Sequence, residues 1–516
     1  MVNYSKRFSF TIKDGEFWWG GVVAHGQRMP FTKSSEYSFD CNENATGNPY
    51  HGLFTSNLGR YLYVEGGSAF TVKDGIFTVF YNDIAEFSEN HTNLKDAYLA
   101  AAKKYFSRDS VEIPKQLLTR PQFCTWAEMD IHVSQEKIEK YVDGIQKSGM
   151  PYGLLIIDDG WSCDYGDWRF HEEKFPNPKG MVDKLHAMGF AVELWLVPFV
   201  NVATPDYELL CRHNAFIREN TGAVAKKEWW NGKSALLDMT NPFAWEWLKG
   251  KLDFLMQTYG VDGFKFDAGG ENYYAFDDVT YQQVSPAQHC DLWAKFANQY
   301  RYNELREVLG YCGQHYVLRL NDKRRSWSET DGIGALVPHT LLAGLCGYPF
   351  CCPDMIGGGQ IADFRSANGA EYDFELVSRF CECSALMPSM QFSHAYWEKD
   401  GREKSLFLQY ALLHTQMEEY LLSLVQESKE THAPIVRHLE YEFPHQGYAR
   451  EMRAFMFGSE YLVTPVTKQG ETSQTVRLPK GTDWTYIPTG KTYCGGETVC
   501  VDAPVGTLAY FKKNAR

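Results

Sequence analysis

The chain has 516 residues, enough for one large domain together with smaller modules. Its formal net charge is −14 and it contains no run of basic residues, which argues against binding to nucleic acid or to an anionic membrane surface. Aromatic residues make up 15% of the chain, a content common in sugar-binding proteins, although a large apolar core accounts for it more simply.

The N-terminal segment, residues 1–110, is predicted to form a β-sandwich. Apolar and polar residues alternate in FSFTIKDGEFWWGG, GRYLYVEGG and FTVKDGIFTVFY, and Asp-Gly and Gly-Gly turns separate these runs. The first ten residues, MVNYSKRFSF, lack the apolar core of a signal peptide, and no apolar run is long enough to span a bilayer. We therefore expect a cytoplasmic protein.

Residues 111–425 are predicted to form a (β/α)8 TIM barrel, because short apolar runs alternate with helical segments. The helical pattern is clearest in 134–149, 180–189 and 241–260. The candidate strands are 123–129, 152–161, 190–199, 262–270, 307–313, 325–332, 344–354 and 386–397. Residues 426–516 return to short alternating runs such as EYLVTPV, which predicts a C-terminal β-sandwich.

The thirteen cysteines follow no regular spacing. Neither the adjacent pair at 351 and 352 nor the pair at 381 and 383 has the CxxC spacing of a zinc or redox site. The sequence favours reduced thiols over disulfides and predicts no metal.

Polar side chains recur where the predicted barrel strands end. The stretch GVDGFKFDAGG places Lys265 and Asp267 in a run that otherwise resembles a buried strand, and LLIIDDGW ends on Asp158 and Asp159. The carboxyl ends of the strands build the active site of a TIM barrel, so these side chains are expected to meet there. Other residues at predicted strand ends are Trp126, Trp195, Asp354 and His394.

Several carboxylates with several tryptophans, and neither a phosphate-binding loop nor metal-ligand spacing, favour glycoside hydrolysis. That reaction needs two carboxyl groups beside the scissile bond. The ammonium group of Lys265 would favour the ionised form of Asp267, which suits a nucleophile. A purely structural ion pair between the two residues is an equal alternative.

Five segments together resemble glycoside hydrolase family 31: GFKFDAGG, IIDDGW, LWLVPFVN, WWNGKSALLDMTNP and GYPFCCPDMIGGG. The resemblance is greatest to the branch that contains the animal myogenesis-regulating glycosidase and bacterial α-galactosidases. It implies a retaining α-glycosidase with a (β/α)8 barrel, flanking β-sandwich domains and no cofactor. The aspartate of KFDAG is the nucleophile of that family, which corresponds to Asp267 here.

The proton donor is harder to place from the resemblance. The segment LRLNDKRRSW is similar to the branch's pattern and assigns the acid/base role to Asp322, with Arg319 as a sugar-contacting residue. The segment WSETD offers Glu329 or Asp331 as the alternative acid. Retention predicts a separation of about 5–5.5 Å between Asp267 and Asp322.

The segment Asp158–Asp159–Gly160–Trp161 resembles the strand end of α-galactosidases, where adjacent carboxylates bind the 4- and 6-hydroxyl groups of galactose. Alternatively, one of the two aspartates supports the site without touching the sugar, or caps a helix. The predicted activity is therefore an exo-acting α-galactosidase. The alternatives are an α-glucosidase or α-xylosidase, a transglycosylase, and a non-catalytic carbohydrate-binding barrel.

Further sugar contacts are predicted with less support from the residues. Trp126 and Trp195 either form walls of the sugar site or belong to the core, whereas Trp230 and Asn231 are placed against the leaving group, with Trp229 beside them. The resemblance also places Asp354 and His394 in the lining of the site. The predicted partner is an oligosaccharide or another α-glycoside, and the sequence leaves open whether the chain forms a homo-oligomer.

Overall fold

The computed structural model describes residues 4–107, 111–365, 372–399 and 401–515. The chain forms an N-terminal pair of sheets, a central parallel barrel and C-terminal sheets, which confirms the predicted fold class. The domain boundaries predicted after residues 110 and 425 stay predictions, and residues 108–110 lie outside the described part of the chain.

The N-terminal sheets pack face to face. Their elements are β1 (Lys6–Thr11), β2 (Trp18–Val22), β3 (Tyr37–Asp40), β4 (Tyr50–Ser56), β5 (Tyr61–Val64), β6 (Ser68–Lys73), β7 (Ile76–Tyr81), β8 (Ala85–Ser88) and the following helix α1 (Leu94–Tyr105). The antiparallel strand orders are β1-β7-β6-β3 and β2-β4-β5-β8. The ring of Phe54 on β4 lies 4.8 Å from that of Phe70 on β6 and 5.0 Å from that of Phe77 on β7, so aromatic side chains fill the space between the sheets.

The central part alternates strands with helices. Its elements are α2 (Gln116–Thr119), β9 (Gln122–Cys124), α3 (Trp126–Met129), α4 (Gln135–Ser148), β10 (Leu154–Ile157), β11 (Ser162–Asp164), β12 (Asp167–Phe170), α5 (Pro178–Met188), β13 (Ala191–Leu196), β14 (Phe199–Val200), α6 (Tyr207–Arg212), β15 (Lys226–Trp229), β16 (Gly232–Leu236), α7 (Pro242–Tyr259), β17 (Gly263–Phe266), α8 (Pro286–Ala297), β18 (Tyr302–Leu305), β19 (Val317–Arg319), α9 (Leu336–Leu345), β20 (Cys351–Cys352), α10 (Ala362–Arg365), α11 (Phe374–Ser384), β21 (Gln391–Phe392), α12 (Arg402–Gln416) and α13 (Glu418–Thr431).

Eight parallel strands of the described residues form the barrel, in the order β9, β10, β13, β17, β18, β19, β20 and β21. Strand β21 pairs with β9, and a parallel bridge between Met355 and Gln391 closes the remaining gap. The ends of parallel strands share one edge, so the residues that follow them converge on one rim.

Two of the three helices predicted most clearly, α4 and α7, have ordinary sequence signals at the ends described here. Helix α4 starts after Ser134, whose hydroxyl group accepts a hydrogen bond from the backbone N–H of Lys137 at 3.3 Å, and it ends at Gly149 with φ 78°. Helix α7 starts after Asn241, whose side chain accepts from the N–H of Phe243, and Pro242 fills its first turn.

Two predicted strands were wrong. The fifth strand is Tyr302–Leu305 rather than 307–313, and the sixth is Val317–Arg319 rather than 325–332. Both real strands carry buried polar residues: Glu304 and Arg319 face each other inside the barrel, and Asn303 donates to a carbonyl group at the end of α8. An apolar pattern therefore does not mark these strands.

The C-terminal part has a second, separate core. Its elements are β22 (Val436–Arg437), α14 (Leu439–Glu442), β23 (Phe455–Phe457), β24 (Tyr461–Val463), β25 (Ser473–Arg477), β26 (Trp484–Tyr486), β27 (Lys491–Tyr493), β28 (Thr498–Asp502) and β29 (Tyr510–Lys513). The larger sheet has the order β22-β23-β24-β29-β26-β27, and β25 pairs with β28. Trp484, Val476 and Val501 share the apolar cluster between these two layers.

Arg379 of helix α11 connects the barrel to the C-terminal sheets. It is fully buried, donates to the carbonyl groups of Glu471 and Ala503 at 2.8 Å, and pairs with Glu382 at 2.8 Å. In the ranges that the structure describes, no helix is both long enough and apolar enough to cross a bilayer. All thirteen cysteines fall in these ranges, and each is a free thiol.

Candidate active site

A cavity of about 410 Å³ lies where the barrel strands end. Its size is within the range of 300–1,000 Å³ that is usual for ligand pockets. Ten residues predicted from the sequence line it: Trp126, Asp158, Asp159, Trp195, Trp230, Asn231, Lys265, Asp267, Arg319 and Asp322.

Asp267 directly follows β17 and is held in one orientation. The indole N–H of Trp195 donates to its Oδ2 at 2.9 Å, and the backbone N–H of Ala268 donates to its Oδ1 at 2.9 Å. Burial acts to raise the pKa of Asp267, but the charges of Arg306, Lys265 and Arg319 outweigh it and lower the pKa below its ordinary value. Asp267 is therefore an ionised, oriented carboxylate.

Asp322 lies three residues beyond β19 and contacts two arginines. Arg319 donates to Oδ1, and Nη1 of Arg306 lies 3.5 Å from Oδ2. The same nitrogen lies 3.4 Å from Oδ1 of Asp267, so one guanidinium group contacts both carboxylates. Because both distances start at the same nitrogen, Oδ1 of Asp267 and Oδ2 of Asp322 cannot be farther apart than the sum of these two distances. Burial would raise the pKa of Asp322, but Arg306 and Arg319 hold it far below its usual range.

Lys265 pairs with Asp158 rather than with Asp267. Its Nζ lies 2.7 Å from Oδ2 of Asp158 and 3.8 Å from Oε1 of Glu304, and these groups are buried in the barrel interior. The expected direct pairing of Lys265 with Asp267 is therefore corrected. Lys265 still lowers the pKa of Asp267 through its charge, after the larger effect of Arg306.

Asp159 faces a different set of partners. The hydroxyl group of Tyr165 donates to its Oδ2 at 3.0 Å, and the amide of Asn231 donates to the same oxygen at 3.4 Å. Burial and the adjacent charge of Asp158 raise the pKa of Asp159 to about 6. The tandem aspartates thus differ: Asp158 is paired with a cation, whereas Asp159 accepts only neutral donors from these side chains.

The sequence matches two family models. The TIM-barrel domain of glycosyl hydrolases family 31 matches residues 121–421, more than half of the chain, and the C-terminal domain of glycosyl hydrolase family 31 matches residues 432–515. The chain belongs to glycoside hydrolase family 31.

Two relatives show which proteins this family 31 chain is similar to over most of its length. It is 33% identical to the myogenesis-regulating glycosidase of Mus musculus over 426 residues, which cover 79% of the chain and 58% of the mouse protein. It is 22% identical to the sulfoquinovosidase of Escherichia coli strain K12, over 92% of the chain and 73% of that enzyme. The chain thus spans a little over half the length of its mouse relative.

The fold is also that of solved family 31 enzymes. A dextranase of Flavobacterium johnsoniae, solved with glucose, superposes with a TM-score of 0.85 at 19% identity. The match covers 99% of the family 31 chain and 66% of the dextranase.

Three tryptophans occupy different positions around the cavity of the family 31 chain. Trp195 is buried behind Asp267, whereas Trp126 is half-buried and donates to the carbonyl group of Gly359 at 3.1 Å. Trp230 is 49% exposed at the rim, where its ring lies 5.1 Å from that of the buried Trp229. A rim position leaves the flat face of Trp230 open to a ligand.

Three predicted residues do not line the cavity as the structure describes it. Trp161 is fully buried and donates to the carbonyl group of Trp195 at 2.8 Å, so it supports the wall from behind. Asp354 accepts from backbone N–H groups and lies 3.4 Å from Arg319. His394 lies 3.5 Å from Glu128.

The alternative proton donors also lie outside the described lining of the cavity. Glu329 is exposed and pairs with Arg453 at 2.8 Å. The backbone carbonyl group of Asp331 accepts a hydrogen bond from the backbone N–H of Arg324 at 2.6 Å. Asp322 is the member of this set that shares the cavity with Asp267.

Several lining residues were missed in the sequence. Arg306 and Glu307 directly follow β18, and Tyr273 and Asn272 lie in the loop after Asp267. The misplaced fifth strand began at Glu307 and left Arg306 outside it, so neither residue was predicted at the end of a strand. Residues 302–305 read Tyr-Asn-Glu-Leu and offer no alternation of apolar and polar residues as a signal.

The N-terminal sandwich also reaches the cavity. Residues 45–47 line it, and a Cβ added to Gly47 would lie 2.9 Å from Nη2 of Arg306. The side chain of Asn48 accepts a hydrogen bond from the backbone N–H of Asn321 at 3.1 Å. This family 31 protein therefore builds its site from two parts of the chain.

Proposed function

We propose that this family 31 protein is a retaining, exo-acting α-galactosidase. One observation carries the proposal: the carboxylates of Asp267 and Asp322 meet at the guanidinium group of Arg306, in the cavity that also contains Asp158 and Asp159. Two carboxyl groups on either side of one bond are what glycoside hydrolysis requires.

Asp267 is the proposed nucleophile. Its carboxylate is ionised by the nearby cations and oriented by Trp195 and the N–H of Ala268, so one oxygen can attack C1 opposite the leaving group. The product of this step is a β-galactosyl ester on Asp267, and the leaving-group oxygen takes a proton. Water then attacks C1 of the ester and releases the sugar with its original configuration.

Asp322 is the proposed acid and base. It is a carboxylate in the free protein because Arg306 and Arg319 lower its pKa, whereas the first step needs its protonated form. A group with a lowered pKa gains its proton only as the pH falls. Substrate binding therefore has to weaken the contacts of Asp322 with the arginines, and low pH should favour this step.

The choice of galactose comes from the tandem aspartates. The oxygens of Asp158 are engaged by Lys265 and by the N–H of Asp159, and Oδ2 of Asp159 takes two neutral donors. Adjacent carboxyl groups suit an axial 4-hydroxyl group, because it lies within reach of the 6-hydroxyl group. The names of the relatives, a sulfoquinovosidase and a dextranase among them, show that family membership alone does not fix the sugar.

A panel of 4-nitrophenyl α-glycosides tests the sugar. We expect kcat/KM to be highest for the α-galactoside, above the α-glucoside and α-xyloside, with the β-galactoside inactive. A preference for the glucoside or xyloside would overturn the substrate assignment while leaving a family 31 glycosidase. Galactose binding without hydrolysis of any member would support the non-catalytic alternative.

Replacement of each carboxylate tests the roles. Asp267→Asn should lower kcat/KM on the nitrophenyl galactoside, and Asp322→Asn should lower kcat/KM on an unactivated alkyl α-galactoside, each at least about a hundredfold, the usual contribution of such groups. An activated fluoride should restore the first step in Asp322→Asn but not in Asp267→Asn, because a good leaving group needs no proton. Glu329→Gln is the matched control and should behave like the wild type; rescue confined to this variant would move the acid role there.

A further inference from the structure

A fifth carboxyl group lines the cavity and has no partner among the residues that the structure describes. Glu307 lines the cavity two residues after β18 and is only 5% exposed. Among the described residues, no hydrogen bond or ion pair reaches its carboxyl group, and its Oε2 atom is enclosed. A Cβ added to Gly270 would lie 1.5 Å from this oxygen, so the chain leaves room for it with a glycine.

The isolation of this group contrasts with its neighbours. Asp267, Asp322 and Asp158 each contact a lysine or an arginine within the same cavity. A buried carboxyl group without a partner is costly, so a polar group that arrives with a ligand would lower the free energy of this side chain. The structural role of a buried glutamate is normally to pair with another protein group, and the described residues offer none.

The protonation state of Glu307 decides whether its carboxyl group can donate a hydrogen bond as well as accept one. Burial and, to a smaller extent, the charge of Asp267 raise the pKa of Glu307 to about 7, against the lowering effect of Arg306. Near neutral pH a fraction of the molecules thus carries a neutral carboxyl group. Such a group both donates and accepts a hydrogen bond, which matches a sugar hydroxyl group.

We propose that Glu307 is a specificity-determining residue that binds one hydroxyl group of the sugar ring held above Asp267. The location supports the sugar rather than the leaving group, because Glu307 adjoins Arg306 in the chain and Arg306 contacts the proposed nucleophile. This inference rests on the proposed glycosidase function and assigns a residue to it that the tandem aspartates do not supply.

Deoxygenated substrates test the contact. Wild type, Glu307→Ala and Glu307→Gln are compared on an aryl α-galactoside and its 2-, 3-, 4- and 6-deoxy analogues with the same leaving group. In the wild type, loss of the contacted hydroxyl group should lower kcat/KM about tenfold or more, the usual effect of one buried hydrogen bond. In Glu307→Ala, removal of the same hydroxyl group should lower kcat/KM only about twofold or less; we call this loss in kcat/KM the deoxy penalty. The deoxy penalties at the other positions should equal those of the wild type.

The glutamine variant and a matched control separate contact from structure. Glu307→Gln keeps a donor and an acceptor, so it should retain most of the penalty and lose any ionisation near neutral pH from the kcat/KM profile. Glu271→Gln changes another fully buried carboxyl group whose oxygens lack side-chain partners but which does not line the cavity, and its penalties should equal those of the wild type. Thermal unfolding of each variant shows that it is folded.

Identical deoxy penalties in the wild type and in Glu307→Ala would overturn the inference, as would an effect that depends only on the leaving group. Should the wild type hydrolyse a glucoside or xyloside instead, the assignment of galactose fails, and the deoxy series of that sugar decides on Glu307. Should it hydrolyse nothing, the proposed function fails on that result alone, and equal affinities of wild type and Glu307→Ala for free monosaccharides would then overturn the inference about Glu307 as well.

Discussion

Arg306 places one positive charge against two carboxyl groups with different proposed tasks. The nucleophile benefits, because a nearby cation keeps Asp267 ionised. The acid does not, because the same cation keeps Asp322 from holding its proton. Arg306 therefore sets the pH range over which one carboxyl group is charged and the other is protonated.

Removal of this charge should move the pH profile. In Arg306→Gln the pKa of Asp267 and that of Asp322 both rise, because both are lowered by Arg306 in the folded protein. Both limbs of the kcat/KM profile should therefore move to higher pH. Arg453→Gln, which changes an exposed arginine far along the chain, is the control, and an unmoved profile in Arg306→Gln would contradict the assignment.

For single residues, the sequence predicted the lining of the cavity best where a motif marked the end of a strand. GFKFDAGG and IIDDGW gave Asp267, Asp158 and Asp159, and the structure brings all three into one cavity. Trp161 and Asp354 do not line this cavity, because a residue at a strand end can support its neighbours from behind. A position at the end of a strand does not by itself tell whether a side chain points into the cavity.

At the scale of elements, helices were easier to predict than strands. The ends of α4 and α7 are marked by Ser134, Gly149 and Asn241, whose effects on the backbone are local. Strand β18 reads Tyr-Asn-Glu-Leu and depends on partners distant in sequence, since its Glu304 faces Lys265 and Gln391 inside the barrel. Polar strands of this kind cannot be found from hydrophobicity.

Two exposed glycines test the importance of helix ends. Gly149→Ala should lower the free energy of unfolding by about 1 kcal/mol, because residue 149 has φ 78° and alanine is strained there. Gly250→Ala, within helix α7, should raise it by about 0.5–1 kcal/mol. No atom lies within 4 Å of an added Cβ at either position, so backbone conformation alone separates the two. Denaturant unfolding measures both, and equal effects would contradict the argument.

At the scale of the whole molecule, buried polar contacts hold the three parts together. Arg379 makes such contacts between the barrel and the C-terminal sheets: it donates to two carbonyl groups and pairs with Glu382. The sequence predicted the three parts but not this contact, because an isolated arginine in a helix gives no sign of burial.

Loss of this contact should destabilise the protein. Arg379→Met leaves Glu382 buried without its cation, and breaking a buried pair in this way costs about 3–5 kcal/mol. We expect a lower thermal midpoint and faster proteolysis near the junction with the C-terminal sheets. Arg453→Met breaks an exposed pair and should change the midpoint little. Equal midpoints for the two variants would show that Arg379 does not hold these parts together.

The loop at residues 45–47 gives the cavity a wall that is synthesised long before Arg365, which lines the same space. A growing polypeptide on the ribosome thus exposes only fragments of the cavity until most of the barrel has emerged. A chain that ends before residue 365 therefore lacks part of the lining of this cavity.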